Sequence, residues 1–364
     1  MLSIFSRNSF SCISERIFHN FREEIIKVKE MMVPISYGFF QWNSFAAQIS
    51  SGKEITFDDV HKSLLMDAIP PKLRDIDETK ALLCQRKLPD EIDDYPEQKV
   101  LCMERPFAYT PAVNLFVAKQ RGCNLDKIDF MFSGSILGIL QKRKIPFDPT
   151  EDIEIMVQMK KGIIIIRKLA RKPRNQNAAG FKFEKIISEE EYSEESNLSG
   201  INHVREILLG NHRILICAEI DLIDDSKNPI EAKFLTKKRE TNELEIHRRI
   251  LFQMLSNGST EVVIGTKTIN QQKNSYQIAN IQKHSLEDIW NIVRQKTSEE
   301  ELFGPIIEGL NELKQNVECG SIKAGPNYFY KLVFVDGKMV FEHLGMSMRG
   351  TVEYRSQPLY EALL

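Results

Sequence analysis

Apolar and polar positions alternate along this chain with both helical and strand periods. Thr110-Pro111 is a helix start, because threonine caps a first turn and proline fits inside it, and Gly122 is a stop, so a helix is predicted over 111–121. Two apolar runs, 151–159 and 162–168, flank Lys161-Gly162 and read as a hairpin. Residues 178–188 have helical spacing. The densest strand signal is 213–223 (RILICAEIDLI) and 229–235 (PIEAKFL), with Asp224-Asp225-Ser226-Lys227-Asn228 as the turn between them. A helix follows over about 242–256, then strands at 260–267 and 275–281, helices through roughly 285–316, and a last hairpin at 328–343 around Asp336-Gly337. Toward the N-terminus, 35–42 (ISYGFFQW) reads as a strand, 21–32 as a short helix, and 68–104, rich in proline and charge, as a long surface excursion. Strands with flanking helices predict an α+β fold, a mixed β-sheet core in a single large domain over 31–350, with 1–30 as an N-terminal arm and 351–364 as a C-terminal tail.

Composition narrows the class. With 364 residues, 42% hydrophobic, 27% charged and a net charge of −2, the chain is an ordinary globular protein rather than a disordered or fibrous one. No apolar run is long enough to predict a membrane span, so no membrane partner is expected. Lys and Arg (49) balance Asp and Glu (51), which excludes a broadly polybasic nucleic-acid coat but allows a local basic channel. The cysteines Cys12, Cys84, Cys102, Cys123, Cys217 and Cys319 form no CxxC pair and no secretory leader is read, so reduced, mostly buried thiols in the nucleus or cytoplasm are expected. The start, MLSIFSRNSFSCISERIF, carries Arg7 and Arg16 in the manner of a transit peptide, but such starts are common and mitochondrial import is not expected.

The chemistry concentrates in Glu219-Ile220-Asp221 and Glu231-Ala232-Lys233. Residues two apart on a strand share a face, so Glu219 projects with Asp221 and Glu231 with Lys233. If the two strands pair across their short turn, three carboxylates and one ammonium converge. One such pair alone reads as a solvated strand face. Two, flanked by Cys217, Ile220, Leu222, Ile230 and Phe234, read as a buried acidic cluster as readily as a solvated face. Carboxylates crowded in an apolar wall repel one another and are costly to desolvate. A hard divalent cation relieves that conflict, and an oxygen-only ligand set favours Mg²⁺ or Mn²⁺ over zinc. Carboxylates, metal and lysine together suit phosphodiester hydrolysis.

Two further residues join this set. Glu184 closes a Gly180-x-x-x-Glu184 segment, in which glycine and glutamate lie one helical turn apart. Gln253 borders the core-facing stripe of the 242–256 helix, where its amide can donate to a phosphate oxygen. Lys160-Lys161, Arg167-Lys168, Arg171-Lys172 and Arg174 form a basic stretch that reads either as a guide for RNA phosphates or as a solvated loop, and Lys237-Lys238-Arg239 and Arg248-Arg249 carry the same two readings. No GxxxxGK[ST], GxGxxG, zinc spacing or Ser/His/Asp arrangement is present.

In order, Gly180–Glu184, Glu219-Ile220-Asp221, Glu231-Ala232-Lys233 and Gln253 resemble the motifs of the DXO-type decapping exoribonuclease family: GxxxE, E-h-D, E-h-K with h apolar, and a helical Gln. GNHRILICAEID, TEVVIGTK and ISYGFFQW are similar in context, and the resemblance covers about residues 33–345. It implies a mixed-sheet nuclease core of the PD-(D/E)xK type acting on RNA 5′ ends: triphosphate ends, incomplete or NAD-type caps, and 5′-to-3′ degradation. It also implies that Glu184, Glu219, Asp221 and Glu231, with the Ala232 carbonyl, hold one or two Mg²⁺ or Mn²⁺, and that Lys233 and Gln253 contact the scissile phosphate and the attacking water. A partner exonuclease or another protein is compatible with it.

One departure stands out. The family places an Arg in a W-R-G-like context where this chain reads Phe132-Ser133-Gly134. Serine cannot make a bidentate phosphate contact, and Lys142 and Arg143 are the nearby candidates to replace it. Three functions therefore stay open: an active 5′-end hydrolase, a degenerate relative that binds RNA or a protein without turnover, and a DNA nuclease on the same core.

Overall fold

The structure, a computed structural model, describes residues 35–42, 56–93, 111–142, 153–170, 178–190, 200–236, 243–270, 275–325, 328–335, 338–348, 352–355 and 357–364. Its strands are β1 (Ile35–Trp42), β2 (Leu64–Met66), β3 (Glu91–Asp93), β4 (Phe130–Ser133), β5 (Ile153–Lys160), β6 (Ile163–Ala170), β7 (Ile201–Leu209), β8 (His212–Ile220), β9 (Leu222–Ile223), β10 (Pro229–Thr236), β11 (Glu261–Asn270), β12 (Ser275–Ser285), β13 (Tyr330–Val335) and β14 (Lys338–His343). The helices are α1 (Phe57–Ser63), α2 (Ile76–Cys84), α3 (Pro111–Gln120), α4 (Ser135–Gln141), α5 (Ala178–Ile187), α6 (Glu243–Asn257), α7 (Leu286–Arg294), α8 (Glu299–Glu318), α9 (Val352–Arg355) and α10 (Gln357–Leu363). Among the described residues no helix is long and apolar enough to cross a membrane.

Two mixed sheets organise these elements. The larger runs β14-β13-β5-β6-β4-β8-β7-β1-β2 and the smaller β3-β12-β11-β10-β9. At the centre of the larger sheet, β4 lies parallel to both β6 and β8. Phe130, Phe132, Ile164, Ile166, Ile214 and Ile216 pack against α4, α6 and α8 on one face, whereas Met131, Ile165, Leu215 and Cys217 pack against α3 and α10 on the other. Burial on both faces explains why these strands read as continuous apolar runs rather than alternating ones. The β5–β6 hairpin turns at Lys161 (φ 41°) and Gly162 (φ 91°), the paired left-handed residues that match strand twist in a two-residue loop. In the smaller sheet α6 is the crossover that makes β10 and β11 parallel.

The structure corrects several expectations. The E-h-D and E-h-K strands are not neighbours in one sheet: β8 belongs to the larger sheet and β10 to the smaller. Residues 68–93 are no surface excursion. Leu73 bridges to Ser188, β3 pairs with β12, and Ile92 is buried. The C-terminal tail includes α10, which buries Leu359, Tyr360 and Leu363 against α3. Cys123 and Cys217 are buried thiols as expected, but Cys84 and Cys319 are exposed. The arm over 1–30, the 21–32 helix and the Asp336-Gly337 turn lie outside the described residues.

Candidate active site

The site forms where the chain steps from one sheet to the other. β8 ends at Ile220, and β9 pairs with the start of β10 (Leu222 opposite Ile230, Ile223 opposite Pro229). Asp221 occupies the step between them. Its Oδ2 accepts a hydrogen bond from the Ala232 N–H at 2.8 Å, which ties the end of the E-h-D motif to the middle of the E-h-K motif. Glu231 and Lys233 lie on one face of β10, as the strand period requires. Lys233 Nζ donates to Glu231 Oε1 and, at 3.0 Å, to the Ala232 carbonyl. Glu184 enters from α5, which packs on β10 through a stacked Phe183–Phe234 pair with ring centroids 4.9 Å apart. Gly265 on β11 makes room for that stack, since a Cβ there would stand 2.4 Å from Phe183. A small cleft beside Pro71, Ser188 and Leu222 is lined by Glu184 and Asp221.

The electrostatics match the crowding anticipated from the sequence. Burial, then the Asp221 charge, pushes the Glu184 carboxyl well above the ordinary carboxylate range, with Glu219 and Glu231 adding to it. Asp221 is pushed up to about 8, first by burial and then by Glu231. Burial works against the Lys233 ammonium, but Glu231, Asp221 and Glu184 outweigh it and raise its pKa. Glu231 is the most deeply buried of the acids, at 4% exposure. An isolated carboxylate at that depth is strongly disfavoured, so both its oxygens need partners, and Lys233 supplies one.

The other comes from a residue the sequence did not single out. Asn257, in the last turn of α6, donates through Nδ2 to Glu231 Oε2. Gln253, the amide expected in the site, is exposed on the same helix one turn earlier. The structure thus brings together Glu184, Glu219, Asp221, Glu231, Ala232 and Lys233, and leaves Gln253 outside the buried cluster. The sequence cue for Asn257 was available: an Asn-Gly helix end sits directly before β11, four residues beyond Gln253.

The donor set fits a hard divalent cation in its chemistry, being four carboxylates and a carbonyl around one ammonium. As placed, Lys233 is engaged with Glu231 and the Ala232 carbonyl. Among the described residues no three His, Cys, Asp or Glu side chains are gathered for chelation. Lys233 holds two of the atoms, Glu231 Oε1 and the Ala232 oxygen, that the resemblance gives to the cation.

Ser133 ends β4 opposite Cys217, two residues before Glu219 on the adjacent strand. Its Oγ lies 3.3 Å from Ser135 Oγ. Lys142 is paired with Glu245, and Arg143 lies outside the described residues. On the other neighbouring strand Ile166 pairs with Phe132, so the residue level with Ser133 is Arg167. Of the basic stretch, Lys160 is turned to the C-terminal segment, where it donates to Gln357 and, at 2.9 Å, to the Gly325 carbonyl; burial lowers its pKa to about 8. Arg171, Lys172, Arg174 and Lys237-Lys238-Arg239 lie outside the described residues.

No protein-family model and no curated protein matches the chain. Solved structures do. S. pombe Rai1 in complex with 3′-FADP superposes with a TM-score of 0.57 at 16% identity, over 85% of this chain and 93% of that one. The K. lactis Dxo1 structure in complex with manganese gives 0.50 at 14%, over 85% and 97%. The chain has the fold of the DXO family. Candida albicans Rai1 in complex with pU5-Mn²⁺ shares that fold with a TM-score of 0.51 at 11% identity, over 91% of this chain and 96% of that one. The mixed helix-and-strand architecture expected from the sequence is the one observed, built on two mixed sheets. At these identities the likeness is one of fold.

Proposed function

We propose that this protein is a metal-dependent hydrolase of RNA 5′ ends, removing triphosphate, incomplete or NAD-type caps and degrading the exposed strand 5′ to 3′. The observation that carries the reading is the convergence of Glu184, Glu219, Asp221, Glu231 and Lys233 at one junction. They arise in the motif order of the DXO family and stand on that family's fold. Relatives of this fold have structures with manganese and with pU5-Mn²⁺.

In this reading Glu184, Glu219, Asp221, Glu231 and the Ala232 carbonyl hold one or two Mg²⁺ or Mn²⁺. A divalent cation bound there supplies Lewis-acid polarisation of the phosphate. With a cation held by Glu231, Lys233 would be free of that carboxylate, and its ammonium could serve the scissile phosphate as a charge-assisted donor. Burial and Glu231 push the Asp221 carboxyl up to about 8, and to hold a cation it would have to be deprotonated. Gln253, exposed on α6, is available to the phosphate from the open side.

Ser133 supports a second reading, a relative that binds RNA or a protein partner without turnover, because the phosphate-holding Arg is missing from its place. One assay separates the two. RNA carrying a 5′ label on triphosphate, NAD-capped or methyl-capped ends is incubated with Mg²⁺ or Mn²⁺, with labelled DNA alongside. Release of cap or mononucleotide from RNA supports the hydrolase. Metal binding with RNA retained intact supports the binder, and faster cleavage of DNA overturns the choice of substrate.

A further inference from the structure

The C-terminal end of α6 is unusually polar for a buried element. His203, Arg205, Ser256, Asn257 and Ser259 are each at most 4% exposed there. The hydrogen bonds of His203 and Ser259 converge on Asn257. Its Oδ1 accepts from the Ser259 N–H at 3.0 Å and from Ser259 Oγ at 2.7 Å. A backbone N–H can only donate, so the amide orientation is determined and Nδ2 must face the other way. There it meets Glu231 Oε2 and lies 3.5 Å from the Glu219 carbonyl. One amide thus touches both motif strands, β10 in the smaller sheet and β8 in the larger.

The helix end that carries it is held from beneath. His203 Nδ1 is 2.8 Å from the Asn257 carbonyl, and its Nε2 is 2.7 Å from Ser36 Oγ. Burial keeps this ring neutral, with a pKa near 4, so Nδ1–H donates to the carbonyl and Nε2 accepts from Ser36. Arg205 Nη1 donates to the Leu255 carbonyl at 2.9 Å. Gly258 (φ +87°) lets the guanidinium pass, since a Cβ there would stand 2.7 Å from it. A helix end would be capped well enough by one such partner; two buried side chains and a glycine fix its position.

We infer that Asn257 is a positioning residue of the acidic site, which sets the orientation of Glu231 and its spacing from the Glu219 strand, with His203 and Arg205 as its anchors. This rests on the metal-site reading above. Lys233 must leave Glu231 Oε1 for a cation to take it, whereas Asn257 can keep its hold on Oε2 throughout. Ligands oriented by an outer hydrogen bond lose roughly 10- to 100-fold in metal affinity when that bond is removed.

The test uses the full chain, with Mn²⁺ alone as the binding probe in calorimetry and labelled RNA for turnover. Asn257→Leu keeps the side-chain size and removes the donor. Mn²⁺ affinity is expected to fall about 10-fold or more, and the half-activating Mn²⁺ concentration to rise by the same factor, with the maximal rate recovered at high Mn²⁺. A merely structural lesion would lower the maximal rate through the folded fraction and leave the half-activating concentration in place; that result overturns the inference. Should Asn257→Leu not fold, Asn257→Ser, whose hydroxyl falls short of Glu231, carries the same expectation. Glu231→Gln is the control. Wild-type Mn²⁺ affinity in the Asn257 variant with loss in Glu231→Gln overturns the role of Asn257 alone. Wild-type affinity in Glu231→Gln overturns the metal-site reading, and this inference with it.

Discussion

Lys233 reaches back along its own strand to hold Glu231, two residues earlier, together with the carbonyl of the Ala232 between them. The strand period places the two side chains on one face, and burial leaves the carboxylate no water to turn to. The ammonium therefore stands as an internal counter-ion at atoms a divalent cation would need.

Removing it should open the site to metal. Lys233→Met is predicted to bind Mn²⁺ more tightly than the wild type, by roughly 10-fold or more if one charge-assisted hydrogen bond is all that competes, and to lose RNA hydrolysis. Calorimetry with Mn²⁺ and a single-turnover assay measure both. Unchanged or weaker Mn²⁺ binding would mean that the ammonium and the cation do not share Glu231.

Asp221 makes metal-free stability depend on pH. Its folded pKa is about 8, against about 4 in an unfolded chain. The folded state thus keeps a proton that the unfolded state has lost, and stability falls as pH rises from about 4 to about 8. Asp221→Asn should lessen that slope, and Glu184, whose carboxyl is raised in the same direction, supplies the rest. Denaturant melts in a chelating buffer across this range provide the check, and a wild-type slope preserved in the variant would assign the dependence to another group.

Gly265→Ala probes how Glu184 is carried. The new Cβ would stand 2.4 Å from Phe183 and 2.9 Å from Phe234. Breaking this stack is expected to cost about 1–3 kcal/mol, as overpacking does, and to move the helix that bears Glu184. A thermal melt equal to the wild type would show that the α5–β10 contact is looser than it stands.

Much of this was legible in the sequence, for reasons that also mark the limit. The Lys161-Gly162 hairpin, the helix beginning at Pro111 and the shared face of Glu231 and Lys233 follow local rules, and each holds. Sheet membership is not local: the period says that Glu219 and Asp221 share a face, but not that the chain leaves one sheet between Ile220 and Leu222. The 68–93 segment misled because its proline and charge read as exposure, whereas a few residues, Leu73, Leu88 and Ile92, dock it on the smaller sheet. Asn257 lies at a helix end, where asparagine ordinarily reads as a cap rather than as part of a site.

Ser133→Arg tests the departure from the family pattern. A guanidinium at the end of β4 is predicted to tighten binding of 5′-phosphorylated RNA by about 10- to 150-fold, measured at fixed salt because phosphate contacts depend on it. No gain in a folded variant, with a loss in Arg167→Ala, would show that the neighbouring strand already supplies the contact.

The central claim is that the acids at the sheet junction perform metal-dependent hydrolysis of RNA 5′ ends. It is tested most directly by following 5′-labelled RNA with Mn²⁺ for the wild type, Glu231→Gln and Asp221→Asn under single-turnover conditions. The account predicts release of cap or mononucleotide by the wild type and background rates in both folded variants. Wild-type rates in either variant, or no turnover by the wild type with Mn²⁺ bound, would contradict it.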